Sequence, residues 1–124
     1  MADIHWLNPV DGDFSTASDW SGGVTPGESD TAYIDAAGGT PYTVTVSTSD
    51  FFHVGALEVA STATLDVDGY LASFYASSFS GEIVVGAGGD FAPGARSGGI
   101  ANSGAISVLG GGVALFSGRR IATA

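Results

Sequence analysis

Three stretches of the chain align on one another, and this self-similarity narrows the possible folds more than any other feature. Gly55-Ala56-Leu57-Glu58-Val59-Ala60 matches Gly81-Glu82-Ile83-Val84-Val85-Gly86 and Gly104-Ala105-Ile106-Ser107-Val108-Leu109, at offsets of 26 and 23 residues. A looser column follows each match: Leu65, Phe91 and Leu115, with turn glycines at Gly69, Gly94 and Gly118. A unit this short cannot bury an apolar face by itself, so it is stable only when stacked on its neighbours. The fold class expected is all-β, a short parallel β-helix (β-solenoid). In it Leu57, Ile83 and Ile106 form one buried column, with Val59, Val85 and Val108 beside them. An antiparallel sandwich or jelly roll is the alternative.

Composition supports the β reading. Glycine occurs 20 times in 124 residues, and Val, Ile, Leu and Phe recur in short runs between glycines. Thirteen carboxylates face three arginines and no lysine, for a net charge of −10. A phosphate backbone needs a basic footprint, so nucleic acid is excluded as a partner. Anionic membrane surfaces are disfavoured for the same reason. There is no cysteine, so neither disulfides nor thiol chemistry can operate. No apolar run is long enough to span a bilayer. The start Met1-Ala2-Asp3-Ile4-His5-Trp6 lacks the basic and apolar regions of a signal peptide.

Along the chain, residues 1–41 do not fit the repeat. They carry Trp6, Phe14, Trp20 and Tyr33 among turn signals such as Asn8-Pro9, Asp11-Gly12-Asp13 and Pro26-Gly27. An N-terminal cap is expected there, because a solenoid needs an atypical end element. Tyr42-Thr43-Val44-Thr45-Val46 alternates cleanly and opens the coils, expected over 42–115. Residues 71–80 read as one short turn or a third strand. Residues 116–124 read as a C-terminal strand, and the edge around Val113 to Ile121 is expected to be free.

Two resemblances emerge from these residues. Trp6-x-Asn8-Pro9-x-x-Gly12-Asp13-Phe14-x-x-Ala17-Ser18-Asp19-Trp20, then Val24-x-Pro26-Gly27-x-x-Asp30 and Tyr42-Thr43-Val44-Thr45-Val46, resembles the start of bacterial surface and autotransporter-like β-helix proteins. That resemblance implies a right-handed parallel β-helix and an adhesin, stalk or scaffold role. It also implies export to the surface without an N-terminal signal peptide. Phe116-Ser117-Gly118-Arg119-Arg120-Ile121-Ala122-Thr123-Ala124 looks like the first strand of a Hint domain, the Hedgehog/intein-type module. The nucleophilic cysteine of that family falls at Leu115, which cannot form a thioester, so no activity carries over.

Catalytic and ligand-binding patterns are sparse. Asp66 and Asp68 lie two apart, so their carboxylates share a face. Such a pair could serve a glycoside hydrolase or simply keep a wall soluble. Only Arg96 lies within the repeats, too little positive charge for a uronate lyase. Asp11-Gly12-Asp13-Phe14-Ser15 invites calcium but fails the EF-hand spacing, and Asx-turns account for it. His5 and His53 are isolated. Gly86-Ala87-Gly88-Gly89 lacks the Lys-Ser/Thr of a phosphate loop. Trp6, Trp20 and Tyr33 could stack on sugars or fill the cap. No catalytic, cofactor or metal residue is assigned. The function expected is a non-catalytic scaffold segment of an exported surface protein, self-associating or continuing into a downstream domain. The alternative is a carbohydrate- or calcium-binding surface module.

Overall fold

The computed structural model describes residues 2–38, 40–75, 77–93, 100–116 and 119–122, with the backbone only for 100–102, 115, 116 and 119–122. Fifteen short strands follow in order. They are β1 (Ala2–His5), β2 (Gly12–Asp13), β3 (Asp30–Ile34), β4 (Tyr42–Val46), β5 (Phe51–Val54), β6 (Ala56–Val59), β7 (Ala63–Val67) and β8 (Tyr70–Ser73). Then come β9 (Ser77–Phe79), β10 (Glu82–Val85), β11 (Asp90–Ala92), β12 (Ile100–Asn102), β13 (Ala105–Val108), β14 (Val113–Phe116) and β15 (Arg119–Ala122). The helical content is two 3-10 turns, Ala17–Asp19 and Ser21–Gly23.

The strands build three five-stranded sheets: β1-β3-β6-β9-β12, β2-β4-β7-β10-β13 and β5-β8-β11-β14-β15. Every pairing is parallel except the last, β14 with β15. The chain visits the three sheets in turn and then repeats one rung further on. The fold is therefore a β-solenoid of about three regular turns, β6-β7-β8, β9-β10-β11 and β12-β13-β14, laid on β3, β4 and β5.

Alternation along each strand sends every second side chain inward. In the second sheet Val44, Leu65, Ile83 and Ile106 form one column, spaced 21, 18 and 23 residues apart. Val46, Val67, Val85 and Val108 run beside it. In the third sheet the inward column is Phe52, Leu71, Phe91 and Ala114. In the first sheet it is Ala32 with Leu57, and Ile34 with Val59 and Phe79. The columns merge into one core, and burying a side chain such as Ile83 contributes about 1.5–3 kcal/mol.

Three expectations need correction. Leu57 and Val59 do not stack on Ile83 and Val85; they lie in the first sheet, opposite Ala32 and Ile34. The 23-residue offset to Ile106 and Val108 is a true coil, but the 26-residue offset runs past one coil by the corner between β6 and β7. Each face of the coil carries the same corner-then-alternation pattern, so the local sequence does not tell one face from another. Leu65 likewise belongs with Ile83, and Phe91 stacks on Leu71 and Ala114 instead. Gly94 and Gly118 lie outside the described residues. Residues 71–80 contribute to two strands, β8 and β9, rather than one turn or one strand.

Two glycines explain the repeat chemically. Gly81 and Gly104 stand just before β10 and β13. A Cβ on Gly81 would overlap the carbonyl oxygens of Ala60 and Ala63, and one on Gly104 would overlap the carbonyl of Gly81. The coil above comes too close for any side chain at these corners.

The N-terminal segment contributes strands as well as bulk: β1 and β3 extend the first sheet and β2 the second. Trp6, Phe14 and Trp20 are buried. The two indoles meet edge to face at 5.0 Å, and Phe14 packs on Trp20 at 4.9 Å and on Phe52 at 4.8 Å. Both indole N–H groups are satisfied within the segment, by the carbonyls of Val10 and Phe14. At the other end, the expected free strand over Val113 to Ile121 is instead a hairpin. Leu115 pairs with Arg120 and Phe116 with Arg119. The hairpin makes β15, not β14, the terminal strand of the third sheet.

Candidate functional surface

The outward positions of the solenoid walls carry the polar and exposed groups, and the second sheet holds the carboxylates. Asp66 stands between Thr45 and Val84 on adjacent rungs. Its neighbour Asp68 follows the end of β7, and its carboxylate lies over Gly86, where a Cβ would collide with it. Burial, and then the charge of Asp68, raises the pKa of Asp66. The pair is therefore a strained acidic pair on a wall. Asp13 and Asp50 form a second pair nearer the N-terminal end. Asp13 accepts hydrogen bonds from the Ser15 amide, as an Asx-turn, and from the Ser47 hydroxyl. Burial opposes ionisation of Asp13, but these donors outweigh it and lower the pKa. Asp50 is pushed the other way, by burial first, against a bond from the Ser47 amide, and then by the proximity of Asp13.

The remaining motif residues fall into structural roles. Asp11 accepts from the Thr43 amide at 2.7 Å, pinning its loop to β4. His5 lies 3.1 Å from Asp35 and stacks on Tyr33 with ring centroids 4.5 Å apart. Gly86 to Gly89 form a tight turn, with the Gly89 amide bonded to the Gly86 carbonyl, and lead into strand β11 rather than a helix. Trp6 and Trp20 are inside the core, so of the three candidate sugar-stacking rings only Tyr33 reaches the surface. Among the described residues, no three His, Asp or Glu side chains gather as a metal donor set. No described helix is long and apolar enough to cross a membrane.

The most distinctive surface is one that motif reading passed over. On the third sheet, Phe51 projects outward and is 65% exposed. Its ring lies parallel to Tyr70 of the next rung, with centroids 4.4 Å apart and planes within 11°. His53 meets Phe51 at 4.9 Å and Phe74 at 5.3 Å, and Tyr75 continues the cluster, 44% exposed. Asp90 stands below Tyr70 in the same outward column. The signal for this surface was available: Phe51 and Phe52 are adjacent on a strand, so one of them must face solvent. Because β5 is a terminal strand of its sheet, Phe51 has Tyr70 on one side only.

No family model, curated protein or solved structure matches this chain.

Proposed function

We propose that the chain is a non-catalytic structural segment, a stackable β-solenoid belonging to an exported bacterial surface or adhesin-like protein. The observation that carries this reading is the condition of the last regular coil. Leu65 and Ile83 are fully buried, whereas Ile106 and Val108, in the same columns, are only partly covered and Leu109 is 50% exposed. The core columns run out to an apolar end at which β13 is the terminal strand of its sheet. Such an end is a template for further pairing. Its occupant is the next coil, a downstream module or another copy. Surface export and a downstream Hint-like module follow from the resemblances of residues 6–46 and 116–124.

The side-chain chemistry fits the same reading. The best carboxylate pair, Asp66 and Asp68, has no described basic partner, and the buried hydroxyls of Ser73 and Ser77 hydrogen-bond each other at 2.9 Å. Purified protein is expected to leave pectin and alginate intact. Light scattering over a concentration series tests the assembly directly. Mass that grows with concentration is expected, and growth should weaken when β15 is removed. A constant monomer mass would overturn the reading.

A further inference from the structure

We infer that the Phe51–Tyr70 platform is the receiving surface for β15 of a second copy, giving head-to-tail assembly in which arginine stacks on the aromatic rings. This rests on the assembly reading above and names its interface.

Three observations carry it. The two terminal strands of the third sheet are β5 and β15, at opposite ends of the molecule's stacking direction. Copies arranged head to tail therefore bring these two strands together, and the third sheet continues from one copy to the next. Second, the chain has three basic residues, and two of them, Arg119 and Arg120, are adjacent on β15. They face a body with thirteen carboxylates, of which Asp50 directly precedes β5 and Asp90 lies two rungs below Phe51. Third, Phe51 stacks on Tyr70 on one side and is 65% exposed, so a planar ring is left open at the β5 end. A guanidinium is planar and weakly hydrated, and it stacks on an aromatic face while pairing with a carboxylate. An aromatic ring beside acids matches an arginine pair in shape and in charge. A heterologous contact of this kind does not close on itself, so it builds filaments.

The test is a complementation of ends. Phe51→Ser blocks the head, Phe51→Leu keeps its apolar bulk without the π face, and Arg119→Glu with Arg120→Glu blocks the tail. Circular dichroism and thermal melts establish that each variant folds; Phe51 is exposed enough to be replaced without opening the core. Sedimentation velocity is then read in low and high salt. The head variants and the tail variant, each by itself, should lose association by about fivefold or more. An equimolar mixture of the Phe51→Ser and Arg119→Glu/Arg120→Glu proteins should form a heterodimer and stop there, because only one compatible pair of ends remains. If wild type associates and these variants associate equally well, this interface is wrong while the scaffold reading stands. If wild type never associates, both fall. Full association of Phe51→Leu would overturn arginine stacking. Binding of a neutral glycan that is lost in Phe51→Ser while assembly is unchanged would reassign the platform to a saccharide and overturn the inference.

Discussion

Ile83 lies in register with Leu65 on one neighbouring rung and with Ile106 on the other, so a single aliphatic column crosses three coils of the second sheet. Its two contacts differ. Leu65 is fully buried, and Ile106 is only partly covered at the end of the stack. Ile83→Ala is expected to cost about 2–5 kcal/mol, as a cavity with little room to collapse. Ile106→Ala should cost clearly less in the isolated chain. Urea unfolding of both variants checks the order, and equal losses would mean the end of the solenoid is covered.

The corner glycines give a sharper stability test. Gly81→Ala puts a methyl group against two carbonyl oxygens of the preceding coil. It is expected to destabilise by about 1–3 kcal/mol through overpacking. Gly27→Ala, where the nearest atom to a new Cβ is the Asp30 carboxylate at 3.6 Å, serves as the tolerant control. Thermal denaturation should separate the two.

Asp66 predicts a pH dependence with a definite sign. Burial, with the charge of Asp68 adding to it, raises its native pKa above the ordinary 3.8. The native state then holds this proton more tightly than the unfolded chain does. The stability associated with this group is greatest below about pH 3.8 and is lost as pH rises through the native value. Asp66→Asn should therefore raise the urea midpoint at neutral pH and have much less effect well below the unfolded pKa. A loss of stability at neutral pH would show that the ionised carboxylate has a favourable partner.

Tyr42 opens β4 with its side chain buried, and its hydroxyl has no hydrogen-bond partner; the Ala36 backbone faces it without completing a bond. An unsatisfied buried hydroxyl is destabilising. Tyr42→Phe is expected to be neutral or to stabilise by about 1 kcal/mol, measured by chemical denaturation. A marked loss would reveal a polar partner for the phenol.

Periodicity made the architecture legible, and it fell short in the register. Alternation at Tyr42–Val46, Ala63–Val67 and Glu82–Val85 identified strands and their inward residues directly. It could not assign Leu57 to a sheet, because the corner glycine and the alternating apolar residues look the same on every face. Coil spacings of 21, 18 and 23 residues further blur a search for one fixed period. The candidate surface was missed for a different reason. Trp6 and Trp20 attracted a sugar-stacking role by residue type, yet their burial is set by the packing of Phe14 and Phe52, which the linear sequence does not display. Trp→Ala variants therefore report on folding, with expected losses of about 3–5 kcal/mol, and not on binding. Phe51 and Tyr70 meet only because 19 intervening residues make one coil.

Small-angle scattering over a wide concentration range tests the central claim most directly, since it reads mass, length and cross-section together. A stackable solenoid predicts particles that lengthen as concentration rises, with a constant cross-section and a mass that grows from the 12.3 kDa monomer. A mass fixed at that of the monomer throughout, or growth in every dimension at once, would contradict it.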